Sequence, residues 1–247
     1  MGQSLRCAAC LLWEEAVGKT SIEDNEHNDK TTFGKMSLKT TATVEDLYRV
    51  PENGKAELVN GELVIMAATG FLPGFAGGEI YSSLRDYGFS TQRGYGLPDN
   101  VGYLVNLPAR QSVRVWWDSA NGWQELVKDL PKRSSFSPDA AFFTGTLPTN
   151  LGKFLEGAPI MAVEVRSEND YGETAEKEIA KKRVDYFEAG TLVVWDVDVL
   201  RGQLIKVYRA SEPLHPTVYR RGEIASAEPA LPGWSLAVER LFPPIWQ

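Results

Sequence analysis

Two strand-like runs with one charged helix between them constrain this chain more than any other feature. Residues 160–166 read IMAVEVR and residues 192–198 read LVVWDVD. Between them, residues 173–188 are rich in Glu and Lys at helical spacing, and Gly190 stands where a helix-ending left-handed residue belongs. A strand, a helix and a strand in succession form a crossover unit. The chain is therefore expected to be α+β, with a mixed sheet flanked by helices.

Three polar residues in and beside this unit stand where a plain core would take none. Asp139 lies in FSPDAAFF, Glu164 in the middle of IMAVEVR, and Lys182 on the helix. Period-two alternation puts Asp139 on one face with Ala141 and Phe143, and Glu164 on one face with Ile160, Ala162 and Arg166. Lys182, three residues after Ile179 and four before Tyr186, falls beside the inward helix stripe, whereas Lys181 projects away. Glu178, four residues earlier, is a favourable partner for Lys182.

Acidic residues on neighbouring strands can share a divalent cation, and magnesium takes oxygen ligands while keeping several waters. Asp139 and Glu164, with a backbone carbonyl beside Glu164, would fill part of such a shell. A nearby lysine can orient water and offset negative charge that develops on a phosphodiester. The competing use of the same residues is structural: Asp139 as a strand-start cap, and Glu164 paired with Arg166 or with a helix lysine.

Upstream, Thr43-Val44-Glu45-Asp46 has the form of a helix start, and Pro51 stops the helix. AELV, Asn60-Gly61 and ELVIMA predict a β-hairpin with Glu57 in its first strand. The glycine-rich TGFLPGFAGG of residues 69–78 lacks the Gly-Lys-Ser/Thr ending of a phosphate loop. It reads instead as close packing before a helix from about Gly77 to Tyr87, buried along Ile80, Leu84 and Tyr87. Residues 101–107 read as a strand. Residues 109–130 read as an added hairpin whose Trp116, Trp117 and Trp123 are expected to pack it onto its own domain, the alternative being an arm that stacks on bases or on a partner subunit. After LVVWDVD come QLIKVYR, one or two further strands and a short terminal helix.

A net charge of −7 provides no general basic field for nucleic acid, although a local groove can exist on an acidic protein. No apolar run approaches the roughly 20 residues that cross a membrane. The cysteines, Cys7 and Cys10, form a lone CAAC without a second pair, and His27 and His215 are the only histidines, so a zinc site is not expected. A body without cysteine suits the cytoplasm. Residues 1–35 are polar and aperiodic after a short apolar stretch, and are expected to be a disordered extension or an upstream misassigned start. Residues 36–247 are expected to form one domain.

The order of five segments, ELVNGELVIMA, SPDAAFF, AVEVRSEND, KKRVDYFEAGTLVVWDVD and LPGWSLAVERLF, resembles the Uma-two family of restriction-endonuclease-like proteins, in the PD-(D/E)XK nuclease superfamily. The resemblance covers about residues 40–242. It implies a restriction-endonuclease-like fold and magnesium-dependent hydrolysis of DNA, with manganese as an alternative ion. By match, Asp139 and Glu164 would bind metal, Glu57 would be a further acidic member and Lys182 the helix-borne lysine. The chain departs from the superfamily pattern at Arg166, which stands where (D/E)-x-K has its lysine and cannot act as a base. Arg166 is open to holding a phosphate or a carboxylate. The family's histidine after the hairpin is replaced by glycines, and the hairpin at 109–130 is an insertion. A homodimer would be one way to cut both strands of a duplex. A catalytically silent nucleic-acid or protein interaction module of the same fold is the alternative function, and a phosphoesterase with another substrate is a third.

Overall fold

The structure, a computed structural model, describes residues 42–50, 54–107 and 134–244, together with the backbone of two intervening strands. The extension expected over residues 1–35 lies outside the described residues.

Helix α1 (Val44–Leu47) is closed by a capping box between Thr43 and Asp46. Strands β1 (Lys55–Val59) and β2 (Glu62–Met66) form the expected hairpin, with Asn60 and Gly61 both at positive φ, as the two-residue turn requires. Helix α2 (Phe71–Thr91) begins about six residues earlier than expected. The glycine-rich segment is therefore the helix itself. Pro73 fits because a first-turn N–H has no helical acceptor to lose, and Pro73, Ala76 and Gly77 are buried. A β-carbon on Gly77 would sit 3.8 Å from the Asp139 carbonyl, so small residues let this helix lie close to the sheet.

Strand β3 (Tyr95–Pro98) was not expected, because Gly and Pro both weaken a strand reading. It occurs as an edge strand, where Pro costs no ladder bond. Only Tyr103 and Leu104 of the strand expected over 101–107 form β4 (Tyr103–Leu104). Within residues 109–130, β5 (Arg114–Asp118) and β6 (Gly122–Glu125) pair antiparallel, with Trp117 opposite Trp123. The packing expected of their tryptophan side chains lies outside the described residues. Strands β7 (Ser135–Phe136), β8 (Ala140–Phe143), β9 (Leu155–Glu156) and β10 (Met161–Val165) lead to helix α3 (Glu173–Ala189). The chain continues through β11 (Val193–Asp198), β12 (Leu204–Arg209), β13 (Glu212–Arg220), β14 (Ile224–Ser226) and β15 (Ser235–Ala237). The short terminal helix is of the 3-10 type, Val238–Leu241.

The central six-stranded sheet has the order β13-β12-β11-β10-β8-β3. β10 and β11, joined by α3, are parallel, and the other neighbours in this sheet are antiparallel, so the sheet is mixed as expected. Alternation along its strands divides the core. Ala140, Phe142, Met161, Val163, Val165, Val193 and Trp195 pack with α2 and the C-terminal segments. Ala141, Phe143, Ala162 and Val194 pack with Tyr103, Phe136 and Tyr186 on the other side. Asp139 and Glu164 belong to the second face by the same alternation.

Candidate active site

The register between β8 and β10 runs Phe142–Met161, Ala141–Ala162, Ala140–Val163. Continued by one step, it sets Asp139 across from Glu164. Asp139 occupies the bend just before β8, where its N–H donates to the Val163 carbonyl at 3.0 Å. Its Oδ2 accepts the Val165 N–H at 2.7 Å, so the carboxylate lies beside the residue that follows Glu164.

Glu57 reaches the same place from the first hairpin. Leu58 N–H donates to Ser135 Oγ at 2.7 Å, and Ser134 N–H donates to the Leu58 carbonyl at 2.9 Å. These bonds stitch β1 to the segment that precedes Asp139. Glu57 is 1% exposed, and its Oε1 accepts the Ser137 N–H at 2.8 Å. Lys182 reaches in from α3. Its ammonium is 2.9 Å from Glu57 Oε1 and 2.9 Å from the Glu164 carboxylate. Lys181, the outward lysine, pairs with Glu178 at 2.6 Å, taking up the partner expected for Lys182. One turn beyond Lys182, the Tyr186 hydroxyl donates to Glu164 Oε1 at 2.6 Å, and the Tyr186 ring is fixed by stacking on Phe136 at 4.2 Å between centroids. The structure thus brings Glu57, Asp139, Glu164 and Lys182 together.

One member was missed in the sequence. Lys55 Nζ lies 2.7 Å from Asp139 Oδ1 and 2.7 Å from Asp99 Oδ1. Lys55 stands two residues before Glu57, and period-two alternation in β1 was the signal that could have found it. Asp99, just beyond β3, gave no such signal. Burial works against the charge on Lys55, but Asp139, Glu164 and Asp99 outweigh it and hold its pKa above the ordinary lysine value. Glu164 is shifted upward. Burial is the main cause, and the charges of Asp139 and Glu57 add to it against the opposing pull of Lys182.

Arg166 does not face this cluster as a free cation. Its Nε and Nη2 bind Asp196 at 2.6 and 2.7 Å, and its other contacts are the Glu176 carboxylate and the Asp170 carbonyl. Of the two uses open to it, it holds carboxylates. Asp196 stands beside Glu164 in the β10–β11 register, so a row of acidic residues crosses the strands and Arg166 is committed to one end of it.

Beside Asp139 opens a cleft of about 190 Å³, walled by Thr69, Pro73, Gly77, Tyr81, Pro98 and Asp99. Asp139 and Val165 also line it. Among the described residues no group of three or more His, Cys, Asp or Glu side chains is disposed to hold a metal. A two-carboxylate site nevertheless fits magnesium, which takes one or two protein carboxylates and fills its shell with water and phosphate oxygens. The donors fit as well. Asp139 and Glu164 supply hard oxygens, and a cation would offset the negative charge that Asp139 and Glu57 place beside Glu164 in addition to its burial.

The sequence model of the Uma2 family, described as "Putative restriction endonuclease", matches residues 43–239. The fold matches the crystal structure of a "putative nuclease belonging to DUF820" from Anabaena variabilis, with a TM-score of 0.55 and 15% identity. That match covers 80% of this chain and 96% of the other, and it places the fold in the restriction-endonuclease-like class. None of the curated proteins compared with the chain matches it. Among the described residues no helix is long and apolar enough to cross a membrane.

Proposed function

The chain belongs to the Uma2 family, and from that premise we propose that it is a metal-dependent endonuclease hydrolysing phosphodiester bonds of DNA. The observation that carries this reading is the meeting of Asp139 and Glu164 at one end of two adjacent strands, with Asp139 lining an open cleft. Asp139 and Glu164 would hold Mg2+ or Mn2+, which when bound supplies Lewis acidity toward a phosphodiester. Lys182, held by Glu57 and Glu164, places a positive charge behind the carboxylates, where it offsets charge developing on phosphate oxygens. Tyr186 fixes the orientation of Glu164. Glu57 anchors Lys182 and ties the hairpin to the site. A homodimer would deliver two such sites to a duplex. We place the protein in the cytoplasm, since its cysteines are confined to positions 7 and 10 and its body needs no oxidising compartment.

A second reading, a catalytically silent interaction module, has one observation in its favour: Asp139 and Glu164 already carry lysine counter-ions. Incubation with plasmid and with single-stranded DNA in magnesium or manganese separates the two. The nuclease reading expects nicking that Glu164→Ala abolishes while circular dichroism stays native. Equal traces of cleavage from wild type and variant would sink it.

A further inference from the structure

Asp139 already has a cation. One of its oxygens, Oδ2, takes the Val165 N–H, and the other, Oδ1, is held by the Lys55 ammonium at 2.7 Å. An ammonium and a divalent ion bound to one carboxylate oxygen would stand within about 4 Å of each other, a like-charge contact at a partly buried carboxylate, where screening is weaker than in bulk water. The Lys55 side chain is 13% exposed and Asp99 46%, so Asp99 forms the wetter rim of the same cleft. Lysine can make such a move because its charge rides on a flexible four-carbon stem.

We propose that Lys55 is a positioning residue, the resident counter-ion of Asp139. It yields that carboxylate when a divalent cation binds, and Asp99 retains its ammonium at the cleft mouth as a donor to a phosphate of the bound strand. The inference rests on Asp139 being a metal ligand. Asp99 has a defined part in it: by holding the same ammonium at the same 2.7 Å, it supplies a second seat and eases the departure of Lys55 from Asp139.

The two residues are therefore expected to act on metal affinity in opposite directions, Lys55 with the larger effect because it holds the ligand oxygen itself. Manganese binding to the full chain, measured by isothermal titration calorimetry at neutral pH, reads this directly. Lys55→Met is expected to tighten Mn2+ binding by about tenfold or more, the scale on which outer-shell contacts act on metal affinity. Asp99→Asn leaves Lys55 with Asp139 alone and is expected to weaken binding. Equal affinities in all three proteins would overturn the role of Lys55 and leave the metal reading standing. Absence of Mn2+ binding from all three would overturn both. If Lys55→Met does not fold, the half-exposed Asp99→Asn decides by itself: weaker binding supports the inference, and unchanged or tighter binding overturns it.

Discussion

Replacing Lys182 by methionine removes one ammonium from two carboxylates at once. Glu57 is 1% exposed, and the side chains of Lys182 and Glu164 are 14% and 23% exposed. Breaking a buried pair by deleting one partner costs about 3–5 kcal/mol, because the remaining charge stays behind. Here the low end applies. Glu57 keeps the Ser137 N–H, Glu164 keeps the Tyr186 hydroxyl, and methionine preserves the packing of the stem. A loss of about 3 kcal/mol in a chain of this size lowers Tm by roughly 6–12 °C at pH 7.5. The sign of the pH dependence follows from Glu164. Its folded pKa is already raised above 4.5, and loss of Lys182, which opposes that shift, raises it further. A carboxyl with a raised folded pKa costs stability once pH exceeds its unfolded value, and the cost grows until pH passes the folded one. The penalty of Lys182→Met should therefore be greatest near neutrality and shrink as pH falls toward 4.5. Thermal unfolding followed by circular dichroism at several pH values measures it, and Glu57→Gln in the same chain should recover part of the loss. A Tm change under about 2 °C at pH 7.5, or one that does not vary with pH, would refute the reasoning.

Two further outcomes test other parts of the structure. A β-carbon on Gly96 would stand 2.3 Å from the Arg85 backbone nitrogen and 2.5 Å from the Leu84 carbonyl carbon, both in α2, so Gly96→Ala must push the edge strand off the helix. It should cost at least about 3 kcal/mol, the upper end of ordinary overpacking, read as a fall in the urea midpoint. Arg166→Lys restores the superfamily lysine but loses the two-pronged grip on Asp196. It should destabilise by about 1.5–3 kcal/mol in the same assay without raising plasmid nicking.

The chemistry-bearing strands were legible because their polar residues interrupt strong apolar alternation. Asp139 and Glu164 stand out against Ala, Val and Phe neighbours, Lys182 is picked out by its helix phase beside Ile179 and Tyr186, and the Asn60-Gly61 turn fixed the hairpin that carries Glu57. What was not legible depends on tertiary contact. Lys55 opens a strand beside a glycine and reads as an exposed end until β1 is docked against Ser134–Ser137. Asp99 follows a Gly- and Pro-containing strand that only an edge position can sustain. The start of α2 is not legible because glycines and a proline argue against a helix by propensity, whereas close approach to the sheet at Gly77 selects them.

Charge decides what this cleft can accept. Among the described residues named at the site, the carboxylates are Glu57, Asp99, Asp139 and Glu164 and the ammoniums are Lys55 and Lys182, an excess of two negative charges. Even a protonated Glu164 would leave an excess of one negative charge. A phosphodiester is itself an anion and would be repelled. On the proposed reading, a divalent cation at Asp139 and Glu164 would cancel the excess and favour approach of a nucleic-acid backbone, which would couple metal to substrate in a way that a basic groove would not require. The same reasoning narrows the alternative. A silent member without metal would have no electrostatic use for this cleft on nucleic acid, and its partner there would have to be a cationic protein surface.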